Sequence, residues 1–292
     1  MKISKNKALI SDIALLIVAI IWGGGFIAVK DSVNLISPFY QMTLRFSLAS
    51  LFMVILFFKY LKHLNKNSIF QGIIIGFFMF LGFALQTVGI VYTTASKSAF
   101  LTATYVLLVP FFNWLIFKYK PDKYALIGAF ICIIGIGMLT LQKDININFG
   151  DILTLLCGIG FAAQIIATDI YAKKTEPLSL TIVQFITASI LSFIVAIIFE
   201  PKPTLSIKVM PSILYLVIFS TMLCFIIQNI AQKYTTASHA AIILSLESVF
   251  GSILSIIIFK DKFSLNMILG CLLIFIAIII TETKLSFLKK KY

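Results

Sequence analysis

Apolar residues run through this chain in long blocks, separated by short polar connections that carry most of the lysines. The blocks fall at roughly 9–29, 38–58, 69–91, 99–117, 124–141, 151–171, 180–199, 212–232, 240–259 and 265–282. Each is close to the ~20 apolar residues that cross the ~30 Å hydrocarbon core of a bilayer. A segment in lipid must satisfy its own backbone, and the alternation of a membrane β-barrel is missing, so every block is predicted to be a helix. Pro38, Pro121, Pro177 and Pro211 sit at junctions between blocks, where helices start or stop. The first block follows basic residues, as a signal peptide would, but it continues from Leu9 to Val29 without an A-x-A site. It reads as a retained first span.

The pentapeptide YTTAS occurs at Tyr92–Ser96 and again at Tyr234–Ser238, 142 positions later. At that offset Gln86 maps onto Gln228, Phe117-Lys118 onto Phe259-Lys260, and Gly128 onto Gly270. At an offset of 139, Asp12 maps onto Asp151, Pro38 onto Pro177, Phe46 onto Phe185, and Ala49-Ser50 onto Ala188-Ser189. Self-similarity at a fixed period marks a duplicated plan. Five spans per copy is an odd number, so the second copy enters the membrane from the opposite side. The predicted fold is an all-α integral membrane protein of ten transmembrane helices, arranged as two inverted five-helix repeats. The expected boundaries are a first repeat at 1–141, an outer linker at 142–149, a second repeat at 150–284 and a basic tail at 285–292.

Composition agrees, with 60% hydrophobic and 12% charged residues and a mean hydropathy of +1.06. The formal charge of +13 does not indicate nucleic acid, because the lysines lie in short connections, where positive charge sets topology. Alternate connections hold sixteen lysines on one side against seven on the other, counting the tail lysines Lys284, Lys289, Lys290 and Lys291. The expectation is a cell (inner) membrane protein with both termini cytoplasmic. Cys132, Cys157, Cys224 and Cys271 lie within apolar blocks, without C-x-x-C spacing, and read as packing residues. No Gly-Lys dipeptide occurs, which excludes a P-loop, and no cofactor or metal site is expected.

Trp22-Gly23 in span one, Pro38 and Arg45 in span two, YTTAS before span four, Pro110 within it and the doubled plan together resemble the drug/metabolite transporter superfamily, in particular its ten-span EamA-type members. The resemblance covers essentially the whole chain. It implies movement of small organic metabolites through a central cavity made mainly by spans one, three, four, six, eight and nine. The chain departs from the family habit in that Glu247 precedes Ser248 rather than proline, and the end of span nine reads Phe259-Lys260-Asp261.

Arg45 and Glu247 are the ionisable residues that depth makes expensive, at about 2.5–3.5 kcal/mol for an arginine at a span centre. Each lies about 11 Å into its span from opposite ends, which leaves roughly 8 Å between them in depth. Arg45 reads as a handle for a carboxylate or phosphate, or as a structural group that snorkels or bonds backbone carbonyls. Its second-half counterpart is Gln184, which favours structure. Glu247 reads as an amine or proton site, or as a bridge between helices; its place in a cavity span under the resemblance favours function.

Trp22, Phe161 and Tyr105 are candidate aromatic walls. The run Trp22-Gly23-Gly24-Gly25-Phe26 and its counterpart Phe161-Ala162-Ala163-Gln164 suggest that spans one and six cross closely, or that backbone at Gly25 approaches a ligand. Gln86, Gln164 and Gln228 are candidate pathway residues, as are Asn113, Gln184 and Asn229, although for most of them a helix-to-helix hydrogen bond is the simpler account. Gly72-x-x-x-Gly76 and the seam of Ser245, Ser248, Ser252 and Ser255 read as packing surfaces. His239, beside the second YTTAS, is a proton or gating candidate along with Glu247.

The expected function is a secondary transporter, an exporter or exchanger of a small metabolite such as an amino acid, working by alternating access. The other possibilities are a cation, drug or choline-like carrier of the same fold, or a membrane enzyme acting on lipid. No H-E-x-x-H motif and no nucleophile with a base supports an enzyme. Expected partners are the small-molecule substrate and the lipid bilayer, with no nucleic acid; the chain is a monomer or a homodimer.

Overall fold

The protein is seen in a computed structural model that describes residues 5–118, 120, 123–140, 148–203, 206–260 and 264–283. Pro121, Asp261, most of the 142–149 linker and the lysine-bearing tail from 284 onward lie outside the described residues. The first half comprises α1 (Lys5–Ser32), α2 (Pro38–Leu56), α3 (Lys66–Tyr92), α4 (Ala95–Ala103), α5 (Tyr105–Phe117) and α6 (Lys123–Thr140). The second comprises α7 (Phe149–Ala172), α8 (Pro177–Phe199), α9 (Met210–Tyr215), a π-helical stretch (Leu216–Leu223), α10 (Cys224–Gln232), α11 (Ala237–Ser245), α12 (Glu247–Phe259) and α13 (Leu265–Thr283). No strand occurs among the described residues.

Eight helical segments are long and apolar enough to cross a membrane, with α4–α5 and α11–α12 each forming one of them. Two shorter apolar stretches, Leu126–Gly135 and Ile268–Ala277, lie in α6 and α13. The fold is therefore an all-α, multi-pass membrane protein. Large apolar side chains such as Ile55, Phe70, Phe199 and Ile257 point outward, as lipid contact requires.

The repeated pentapeptide has a local cause. Thr94 Oγ1 accepts the backbone N–H of Lys97, and Thr236 Oγ1 accepts that of His239, so each copy caps the start of a helix. An N-cap threonine contributes about 1 kcal/mol and satisfies a donor that lipid cannot. The same need recurs at α2, where the Glu200 carboxylate accepts the N–H groups of Phe39 and Tyr40 at 2.8 and 3.0 Å. The α4–α5 and α11–α12 helices end on Lys118 (φ 62°) and Lys260 (φ 55°), two left-handed caps 142 positions apart.

Small residues set the closest crossings. A methyl group added at Gly160 of α7 would lie 2.5 Å from the Gly82 nitrogen of α3, and Gly72 and Gly76 meet Val183, Gln184 and Thr187 of α8. Lipid is as apolar as leucine, so helices associate here through close packing rather than through expulsion of water. The expected close crossing of spans one and six is not where the glycine run does its work. Gly23 packs on Phe250 and the Gly251 nitrogen of α12, Gly24 on Tyr215 and Gly25 on Ser220, while on α7 Gly160 meets Phe78 and Gly82 of α3 and Gly158 meets Leu108 of α5. Ser220 and Phe250 are the 142-offset counterparts of Phe78 and Leu108, so each copy packs on the equivalent two spans of the opposite half.

Gly160→Val is expected to destabilise the protein by about 1–3 kcal/mol or to prevent folding, whereas Ile190→Leu, on the outer surface, should stay within ~0.5 kcal/mol. Thermal unfolding in detergent compares the two; equal midpoints would show that the α3–α7 crossing tolerates a side chain.

Candidate functional site

Both long helices that follow YTTAS are broken, and the breaks are related. The chain tightens at Thr104, where the N–H groups of Thr104 and Leu107 bond back to Leu101 and Thr104, and again at Leu246, where Leu246 and Val249 bond back to Ile243 and Leu246. Thr104 and Leu246 are 142 positions apart. Pro110 cannot be the common cause, since Ser252 takes its place in the second copy. The first residues after the two breaks are Tyr105 and Glu247, and both are buried on one cavity.

That cavity lies between side chains of both halves. Its walls come largely in repeat-related pairs: Trp22 with Phe161, Gly25 with Gln164, Phe26 with Ile165, Phe83 with Phe225, Gln86 with Gln228, and Tyr105 with Glu247. The first three pairs keep the 139 offset and the last three the 142 offset. Arg45, Thr102, Ser220 and Val29 also line it. All nine residues singled out as cavity candidates from the sequence are therefore brought together.

Arg45 is 1% exposed, so it does not snorkel, and it bonds side-chain hydroxyls rather than backbone carbonyls. Its Nε donates to Thr221 Oγ1 and its Nη2 to Ser220 Oγ at 3.2 Å. Both acceptors lie in the π-helical stretch, whose Ser220 carbonyl also accepts Trp22 Nε1 at 2.8 Å. A π-stretch widens the turn and re-aims its side chains, a feature common at functional sites. The guanidinium also lies over Phe83, 4.3 Å from the ring centroid, and 5.6 Å from that of Phe46. No carboxylate pairs with it among the described residues.

Glu247 is 4% exposed. It forms no ion pair among the described residues; the Tyr105 hydroxyl is directed toward it but meets no acceptor at hydrogen-bond geometry. The amides are tied more loosely. Gln86 donates to Thr102 Oγ1 at 3.1 Å, Gln228 to Gln164 Oε1 at 3.4 Å, and the Gln228 carbonyl oxygen is buried without a donor. A cavity with one cation, one carboxyl, aromatic faces and spare amides can hold a ligand that carries both an anionic and a basic group.

Other candidates fall elsewhere. Gln184 and Asn229 bond each other at 3.2 Å and serve packing, and Asn113 is half-buried on α5 away from the cavity. The serine seam is buried, and the hydroxyls of Ser245, Ser248 and Ser252 turn back to carbonyls three or four residues earlier, as in Ser252 to the Ser248 carbonyl at 2.7 Å. His239 lies outside the cavity, with its Nε2 3.1 Å from Asp12 Oδ1. Sequence reasoning missed Phe83 and Phe225, although both stand one turn before a chosen glutamine, and their shared offset of 142 was a usable signal. Ser220 and Thr221 gave none, since their role depends on the π-stretch.

The EamA-like transporter family matches this chain twice, over residues 9–141 and 148–283. An uncharacterized transporter of Archaeoglobus fulgidus is 36% identical over 278 residues, covering 95% of this chain and 87% of the relative. The uncharacterized transporter YyaM of Bacillus subtilis is 28% identical over 258 residues, covering 83% and 84%. A crystal structure with 14% sequence identity superposes with a TM-score of 0.72, covering 98% of this chain and all of the other, which shows a shared fold.

Thr221→Val removes an acceptor from a buried guanidinium and is expected to cost about 1–3 kcal/mol. Tyr105→Phe removes a hydroxyl with no partner and should leave stability within ~0.5 kcal/mol. Unfolding midpoints of the two purified variants check this ordering; its reversal would mean that Arg45 is held by something else.

Proposed function

We propose that this chain, which belongs to the EamA-like transporter family and is a multi-pass membrane transporter, carries a small amphipathic zwitterion, an amino acid or a close relative, outward across the cell membrane. One observation carries the reading: a guanidinium and a carboxyl group are both buried on a single cavity, and neither has a counter-ion among the described residues. Burying one charge without a partner is expensive in lipid. A substrate carboxylate at Arg45 and a substrate amine at Glu247 would offset both at once, and Trp22, Phe161 and Phe225 would flank its apolar part. The choline-like alternative is weaker, because the ring faces of Phe83 and Phe46 are already taken by the guanidinium, which would repel a second cation.

Transport proceeds, in this reading, by rocking of two inverted halves around the cavity, with both termini cytoplasmic. The paired origin of the walls supports it, since alternating access about a midplane site is the usual work of inverted repeats.

In liposomes, saturable counterflow of amino acids is expected. Arg45→Gln should weaken a zwitterion about ten- to hundredfold, the loss of one charge-assisted bond, while leaving its carboxamide derivative little changed. Equal losses for both would make Arg45 structural. Glu247→Gln should abolish uptake of zwitterions; unchanged transport by the folded variant between about pH 5 and 8 would exclude Glu247 as a substrate or proton site.

A further inference from the structure

Two ion pairs join the halves, and they occupy equivalent places. Lys97 Nζ lies 3.4 Å from Asp151 Oδ2, and His239 Nε2 lies 3.1 Å from Asp12 Oδ1. Lys97 and His239 are 142 positions apart, each directly after a YTTAS copy and third in a helix capped by that copy's second threonine. Asp12 and Asp151 are the 139-offset partners near the starts of α1 and α7. Each pair thus joins the cation of one half to the acid of the other.

The pairs stand at opposite ends of the bundle, as α1 shows. Asp12 near its start holds His239, while Lys30 near its end donates to the Thr93 carbonyl at 2.8 Å, and the Thr93 hydroxyl in turn donates to Asp151. Eighteen residues of helix separate Asp12 from Lys30, about 27 Å. The α1 cavity residues Trp22 and Gly25 fall between them.

We infer that Asp12–His239 and Lys97–Asp151 are two gate latches, one closing each mouth of the cavity, and that the His239 latch is the easier to release. This rests on the carrier reading above. The latches differ in burial: the Lys97 and Asp151 side chains are 7% and 1% exposed, against 49% and 33% for His239 and Asp12. An exposed pair contributes little and exchanges readily, whereas breaking a buried one strands a charge. The His239 mouth is therefore the easier to open.

The charged groups around His239 are few. From α1 come Lys7, which lies over Tyr234, and Asp12; from α7 come Asp169, which accepts the Ala237 N–H, and Lys173, which pairs with Asp169 at 2.7 Å. Between Tyr105 and Phe117 α5 has no charge, α12 brings only Glu247 at the far end of α11, and the side chain of Glu282 on α13 lies outside the described residues. Asp169 is thus engaged by Lys173, which leaves Asp12 as the acid opposite the imidazole.

The test uses the full-length protein in sealed vesicles of either orientation, with a cysteine replacing Gln228 in an otherwise cysteine-free chain and an impermeant maleimide as probe. Asp12→Asn should raise labelling several-fold from the side that bears His239, and Asp151→Asn from the other side. Exchanging the first pair (Asp12→His with His239→Asp) should restore the resting rate, which a misfolded variant would not do. Resting labelling should be faster from the His239 side than from the Lys97 side. Increases from the same side in both variants, no change in either, or faster resting labelling from the Lys97 side would overturn the inference. Labelling needs no transport, so a failed counterflow with these responses intact would count against the substrate and not against the latches.

Discussion

Lipid offers no hydrogen bonds, and that constraint governs this molecule. It forces the chain into helices, and it makes every helix end or interruption a debt in backbone partners that must be met internally. Thr94, Thr236 and the Glu200 carboxylate each satisfy helix starts. Breaks at Thr104 and Leu246 and the π-stretch at Leu216–Leu223 are tolerable only because they are turned toward the interior of the bundle. The same constraint makes Arg45 and Glu247 informative. Both are buried on the cavity, and neither has a counter-ion among the described residues.

The cavity is built on a duplicated frame. Six offset-related pairs line it, so both halves contribute equivalent positions. The copies also differ. Arg45 faces the cavity while its counterpart Gln184 bonds Asn229 instead. Tyr105 and Glu247 follow equivalent breaks with opposite chemistry. Lys97 and His239 follow equivalent pentapeptides, one buried beside Asp151 and the other exposed beside Asp12. A perfectly symmetric pair of halves would present two identical faces; these three differences make the two faces unlike.

Packing repeats the plan instead. Gly160 of α7 meets Phe78 and Gly82 of α3 and Gly158 meets Leu108 of α5, while Gly25 of α1 meets Ser220 and Gly23 meets Phe250, the 142-offset counterparts of Phe78 and Leu108. Trp22 and Gly25 therefore meet the π-stretch directly, and through Ser220 they share a neighbour with Arg45. Ser220 thus links the Arg45 side of the cavity to the helix that carries Asp12 and Lys30 near its two ends.

The sequence by itself determined that this is a membrane-embedded helical protein and roughly where its apolar helices run; it offered nine candidates that do line one cavity, along with Asn113, Gln184, Asn229 and His239, which do not. Each of those follows from hydropathy, from the fixed offsets or from the family likeness, and all of these are linear properties of the chain. Only the tertiary structure decided that Thr221 and Ser220 hold Arg45, that α1 crosses α12 rather than α7, and that Asp12 reaches His239. Those facts depend on helix rotation and on a π-stretch that shifts register by a fraction of a turn. Apolar blocks that are hydrophobic all round carry little information about rotation, so the faces are set by packing between helices distant in sequence.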